Sequence, residues 1–283
     1  MTTDLKQIIL LTIAICVPLA LLLTKRRRLL LVWVCFTFSV QIFDTVMLTN
    51  LPAGRIVGLL FMPFAVTKLR EWAHLLPVRA WLLNYGWLLI LGIAFGFLWP
   101  WPDTTFIRPF TLAAQGKTII YLGRLLTDLS LTIFVAEQIL QGDTLRLIGR
   151  AIMAGATLSA LVGIFHFITQ IDLYYIITGM GEQILHLGRA RGLVGEPRAL
   201  GLNCAYCVMI LLVGRRKISR LWPIALVVNV VTLLLTYSAS SIALFIAGTV
   251  VALVFFSNRE RLTVAGVIAV ALTIIFLTSV LLP

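Results

Sequence analysis

Apolar residues in this chain run in long unbroken stretches, separated by short polar or charged segments. The stretches fall at about 7–23, 29–48, 54–67, 81–99, 118–140, 147–169, 200–214, 221–237, 241–257 and 262–282. A membrane-spanning helix needs ~20 mostly apolar residues, and most of these stretches approach that length. A membrane barrel would instead show period-two alternation, which these stretches lack. Helices close all their backbone hydrogen bonds internally, which hydrocarbon demands. The pattern therefore predicts an all-α, polytopic transmembrane helix bundle of about ten spans. The third span is short and carries Pro63.

Composition narrows the picture further. The chain has 283 residues, 60% of them apolar and 12% charged, with a mean hydropathy of +1.04. Soluble domains are about 45–50% apolar and about 25% charged. A water-soluble enzyme and a disordered chain are both excluded. Ten spans leave no room for a large soluble domain, so residues 1–283 read as one integral membrane domain. The four cysteines, Cys16, Cys35, Cys204 and Cys207, all sit within apolar stretches. Cys204 and Cys207 form a C-x-x-C without a second pair, and small buried residues on a membrane helix describe them better than a redox or zinc motif. The first apolar run is followed by Lys25-Arg26-Arg27-Arg28, the reverse of a signal peptide, and reads as a retained span.

A net charge of +12 on a soluble protein would point to nucleic acid. Here the cations cluster between apolar runs, as membrane topology requires. With Lys25–Arg28 placed in the cytoplasm and sides alternating, fifteen Lys and Arg fall on the cytoplasmic side and seven on the other, with Arg124 inside a span. Both termini are then expected outside. Two outer segments are longer than the rest: about 100–117, with Trp99 and Trp101 beside its prolines, and about 170–199. Long loops in compact domains are often functional.

The second of these carries the densest chemistry. Arg189, Arg191 and Arg198 fall within ten residues on the side where topology gives no reason for cations. Arginine forks bind phosphate or carboxylate in a bidentate way. Gly192 and Gly195 allow close backbone approach, and Pro197 suits the first turn of the following helix, whose free N–H groups favour an anion. The segment reads either as an outward diphosphate site or as a solvated loop holding lipid headgroups. Glu196 is the carboxylate beside the arginines, and is an internal partner for Arg198, a general base, or solvated. Arg124 and Asp128 lie four apart on one helix face, as a structural pair or as substrate-binding groups. Asp44 and His166, near outer span ends, are candidates to line the same cavity or to be satisfied within the bundle, and Glu137 is expected to reach the cytoplasmic interface.

Arg189-x-x-Gly192, followed by Leu193 and by Glu196-Pro197, resembles the R-x-x-G-hydrophobic-x-x-[NE]-P signature of the O-antigen ligase and O-antigen polymerase family. The later Leu235-Thr236-Tyr237-Ser238 is similar to that family's L-T-x-S-R-[GS] segment, with Ala239 where the family has Arg. The resemblance covers about residues 110–257. It implies a polytopic glycosyltransferase acting on a polyprenyl-diphosphate-linked glycan at the outer face of a bacterial inner membrane. The acceptor would be another glycan or a lipid, with neither metal nor other cofactor. Arg189, Arg191, Arg198 and Arg124 would hold the diphosphate, with Gly192, Pro197, Asp128, Thr236 and Ser238 in support. The family's large outer loop and later helices would follow about where this sequence ends, at Pro283, so the resemblance would be that of a truncated form, a fragment or a divergent minimal member. Two other readings stand beside it: a transporter or flippase for an envelope precursor, and a non-catalytic component of an envelope-assembly complex.

Overall fold

The structure is a computed structural model that describes residues 3–43, 53–72, 114–140, 144–179, 188–214 and 217–255, with a few isolated positions. Every element among the described residues is helical. The helices are α1 (Thr3–Leu23), α2 (Arg27–Ser39), α3 (Ala53–Trp72), α4 (Ala114–Leu140), α5 (Leu145–Thr169), α6 (Leu173–Thr178), α7 (Pro197–Gly214), α8 (Trp222–Leu235) and α9 (Ala239–Phe255). A 3₁₀ turn, Gln41–Phe43, follows α2.

Three helical stretches are long and apolar enough to cross a membrane: Leu5–Leu23, Leu145–Thr169 and Pro197–Gly214. Trp222–Leu235 and Ala239–Val250 are apolar but shorter. The expected count of ten is thus not reached among the described residues, for identifiable reasons. The second apolar run stops being α-helical at Ser39, and the 13 residues of α2 cover only about 20 Å. The helix α4 is long, but Arg124, Asp128 and Glu137 fall within its last 18 residues. Expected spans four and ten, with Trp99 and Trp101, lie outside the described residues.

The chain divides into two compact units, Met1–Gly54 with Gln141–Pro283, and Arg55–Leu140. In the first unit α5 packs against α2, α7 and α8, and α7 also packs against α8 and α9. The face of α5 that makes these contacts is a stripe of small residues: Gly155, Ala156, Ser159, Ala160 and Gly163, all buried. Small residues spaced four apart let helix backbones approach closely where lipid, rather than water, surrounds them. A methyl group on Gly155 would come within 2.8 Å of the Phe36 carbonyl oxygen, and one on Gly163 within 2.8 Å of Leu200. Polar groups join the same helices. The Asn229 side-chain amide donates to Thr157 Oγ1 (3.1 Å) and to the Ala225 carbonyl (2.8 Å), and Thr232 Oγ1 donates to the Ala160 carbonyl (3.2 Å). The outward faces are oily: Ile8, Ile9, Ile13, Ile15 and Leu19 of α1 are exposed, as a helix facing acyl chains requires.

The unit has two unlike ends. At one, the starts of α2 and α5 lie together, and Arg150 Nε donates to the Ile218 carbonyl (2.7 Å) beyond the end of α7. At the other, the Gln41 N–H after α2 donates to the Leu193 carbonyl (2.9 Å), and Lys6 Nζ at the start of α1 donates to the Ile176 carbonyl (2.6 Å). The second unit pairs α3 with α4. Arg55 forks onto Asp128 (2.8 and 3.0 Å), Phe61 meets Phe134 edge-on at 4.9 Å between centroids, and Lys68 lies 3.8 Å from Glu137. Contacts advance in the same direction along both helices, so α3 and α4 run parallel.

The tight α2–α5 contact generates a direct expectation. Gly155→Leu should destabilise the folded protein by about 1–3 kcal/mol, the usual range for overpacking a close contact. Thermal unfolding in detergent micelles reads this, with the exposed Leu158→Ala of the same helix as the control that should change little.

Candidate site at the loop end of the bundle

Residues 188–196 do not wave in solvent. They lie across the end of the first unit, held by the 3₁₀ turn after α2 and by α5, α6, α7 and α8. Ala190 and Val194 are fully buried, and both belong to the main apolar cluster formed by α5, α7, α8 and α9. Gly192 turns the segment with a left-handed φ of +69°. A methyl group there would come within 2.4 Å of the Ser159 carbonyl oxygen, so only glycine fits on both counts. The neighbouring Leu193 N–H takes its hydrogen bond from α5, donating to Ser159 Oγ (3.1 Å).

The three arginines have three different roles. Arg189 reaches the end of α8: its Nε donates to the Thr236 carbonyl (2.9 Å) and its Nη2 to the Tyr237 carbonyl (3.4 Å), while the Ala190 N–H donates to the Leu235 carbonyl (3.0 Å). The last carbonyls of a helix lack intrahelical partners and carry partial negative charge, which a guanidinium satisfies. The chain leaves α8 there through Tyr237, at a left-handed φ of +48°. The segments around Arg189 and around Thr236–Ser238, about 47 residues apart, are thereby joined.

Arg191 turns inward. Its Nη1 donates to Asp172 Oδ2, its Nε donates to the Val194 carbonyl (3.3 Å), and its guanidinium stacks 4.8 Å above the Tyr174 ring. The side chains of Arg191 and Asp172 are 2% and 4% exposed. Asp172 also caps α6, Oδ1 accepting from the Tyr175 N–H (3.0 Å). The expected diphosphate ligand is thus engaged in a buried ion pair, and its partner Asp172 is the residue that sequence reasoning missed. An Asp three residues before Tyr175, at the start of a short apolar helix, was the available signal. His166 is buried beside this pair, with its Nδ1 unbonded.

Arg198 and Glu196 are exposed, and no ion pair joins them in the structure. The expected internal pair is absent because α7 begins between them: Pro197 is its first residue and is buried, while Arg198 points out from its first turn. The Arg198 carbonyl accepts from Ser241 Oγ (3.2 Å), and Ser241 Oγ donates in turn to Ser238 Oγ (2.8 Å). Thr236 Oγ1 is buried and donates to the Leu233 carbonyl (2.7 Å). Gly201 lets α7 lie against this turn, since a methyl group there would come within 2.6 Å of Ser241 Oγ and 2.8 Å of Thr236 Oγ1. Thr236 and Ser238 therefore shape the floor of the site.

Arg124 and Asp128 belong to the second unit. There Asp128 takes Arg55 as its bidentate partner. Glu137 does not project to an interface; its side chain is buried near Lys68. Asp44 and residues 180–187 lie outside the described residues. The two candidate C-x-x-C thiols, Cys204 and Cys207, are buried on α7 and unbridged. No family model, curated protein or solved structure matches this chain.

The division of labour among the arginines is measurable. Arg191→Ala leaves Asp172 buried without its partner and should cost about 3–5 kcal/mol of stability. Arg198→Ala, at an exposed position, should change stability by no more than about 0.5 kcal/mol. Thermal or denaturant unfolding of the two variants side by side checks both values.

Proposed function

We propose that this protein is a membrane glycosyltransferase of the O-antigen ligase or polymerase type. It transfers a glycan from a polyprenyl diphosphate to a glycan or lipid acceptor, at the outer face of a bacterial inner membrane. The observation that carries the reading is the meeting of its two motif-bearing segments. Arg189 bonds the turn after α8, and the same end of the bundle presents Arg198 and Glu196 outward from the start of α7.

In this reading Arg198 and the first N–H groups of α7 receive the diphosphate, because a helix start favours an anion and a guanidinium forks onto phosphate oxygens. Arg189, half-exposed and anchored to the α8 end, presents its remaining donor edge to the same group. Arg191 holds the segment in place through Asp172. The acceptor hydroxyl oxygen attacks the anomeric carbon, the bond from that carbon to the diphosphate oxygen breaks, and the hydroxyl proton passes to the Glu196 carboxylate. The departing diphosphate keeps the bonding electron pair, and the arginines offset its growing charge.

Cells with and without the gene provide the test. Single repeat units accumulating on the polyprenyl carrier identify a polymerase, and finished polymer accumulating there identifies a ligase. An unchanged lipid-linked and surface glycan profile overturns the reading. Within it, Arg198→Ala should lower transfer by ~10²-fold, the usual loss on removing one transition-state donor. Its amount in the membrane should stay unchanged, as an immunoblot of the membrane fraction would show.

A further inference from the structure

The end of the first unit opposite the candidate site carries two adjoining cavities. One, of about 460 Å³, is lined by Arg28, Arg146 and Arg150, with Leu29 and Leu147. The other, of about 650 Å³, is an apolar groove formed by the start of α5 and the end of α7, lined by Ile148, Met209, Ile210, Val213 and Ile218, with Lys217 at its rim. Arg146 lines both.

We propose that these cavities together bind one anionic phospholipid, its phosphate on Arg28, Arg146 and Lys217 and an acyl chain in the groove. Three observations converge on this occupant. Cations from three separate segments line the pair of cavities, and the flanking sequence is strongly one-signed. Thr24–Arg28 and Gly214–Leu221 each hold four cations and no carboxylate, and Asp143–Arg150 holds two cations against one carboxylate. The helices α2 and α5 both begin at the basic cavity, and their N-cap residues Arg26 and Thr144 make no side-chain cap of their own, so their positive ends face the same space. The groove next to it is apolar and opens to the side: Val213 is exposed, and Leu145 is exposed at its mouth. A free phosphate would satisfy the first cavity alone. A zwitterionic lipid would fill the groove and bring a choline cation to the arginines. An anionic lipid matches both halves, in the way that basic pockets between membrane helices take acidic headgroups.

The test uses the full chain, purified in detergent and stripped of lipid. Its thermal midpoint is followed during titration with phosphatidylglycerol, phosphatidylcholine or inorganic phosphate. Phosphatidylglycerol should raise the midpoint in a saturable way, and the other two should not reproduce the full shift. Arg146→Gln and Lys217→Gln should each weaken phosphatidylglycerol binding ~5-fold, the equivalent of about 1 kcal/mol per cation. Arg146→Lys should retain most of it. Val213→Trp, which fills the groove without changing charge, should weaken the lipid response while leaving any phosphate response in place. Equal shifts with phosphatidylcholine, a full shift with phosphate alone, or a phosphatidylglycerol affinity untouched in Arg146→Gln, Lys217→Gln and Val213→Trp would each overturn the proposal.

Discussion

Everything at the loop end of the first unit hangs on one buried ion pair. Arg191 and Asp172 stand almost entirely out of solvent, where an uncompensated charge would be costly. Each therefore fixes its own segment as well as its partner. Asp172 starts α6 and holds it beneath the bundle end, while Arg191 closes the turn through the Val194 carbonyl and covers Tyr174. With that turn fixed, Gly192 settles onto α5 and Arg189 faces the last carbonyls of α8. Glu196 and Arg198, not bonded to each other, are what the buried pair leaves facing outward.

The bundle beneath is built for close approach rather than for bulk. The small residues of α5 bring it against α2, α7 and α8 at backbone distance, and Asn229 and Thr232 add hydrogen bonds across the same contacts. In hydrocarbon the apolar side chains give little preference for a neighbour over lipid, so packing and interhelical hydrogen bonds decide the arrangement. Most of the large aliphatic residues of α1 can then face outward at no cost.

The sequence made the helical class, the apolar stretches and the density of charge at residues 189–198 legible, because hydropathy and charge are local signals. It did not make the roles of the arginines legible. Arg191 and Arg198 look alike in sequence, yet one meets Asp172 across 19 residues and the other meets solvent. Asp128 has Arg124 one turn away on its own helix, but its bidentate partner is Arg55, 73 residues distant. Partner choice for a charge depends on which helices become neighbours, and periodicity carries no information about that. The stripe on α5 was readable as small residues four apart and went unread because apolar length dominated the pattern. The length of α2 was misjudged for the opposite reason: its apolar run continues past Ser39 although its α-helix does not.

The bond from Arg189 to the turn after α8 also dictates an order of events during synthesis. Leu193 meets Gln41, 152 residues earlier in the chain, while Arg189 waits for Thr236, 47 residues later. A nascent chain that ends at α7 thus has its loop only half anchored, with the Arg189 guanidinium unmatched until α8 and the turn after it have been made. The floor under the loop needs Ser238 and Ser241 as well, the latter in the first turn of α9. The Arg189 contact and the floor are therefore completed after the rest of the loop, and a chain interrupted before α9 carries every arginine of the motif with only part of its geometry.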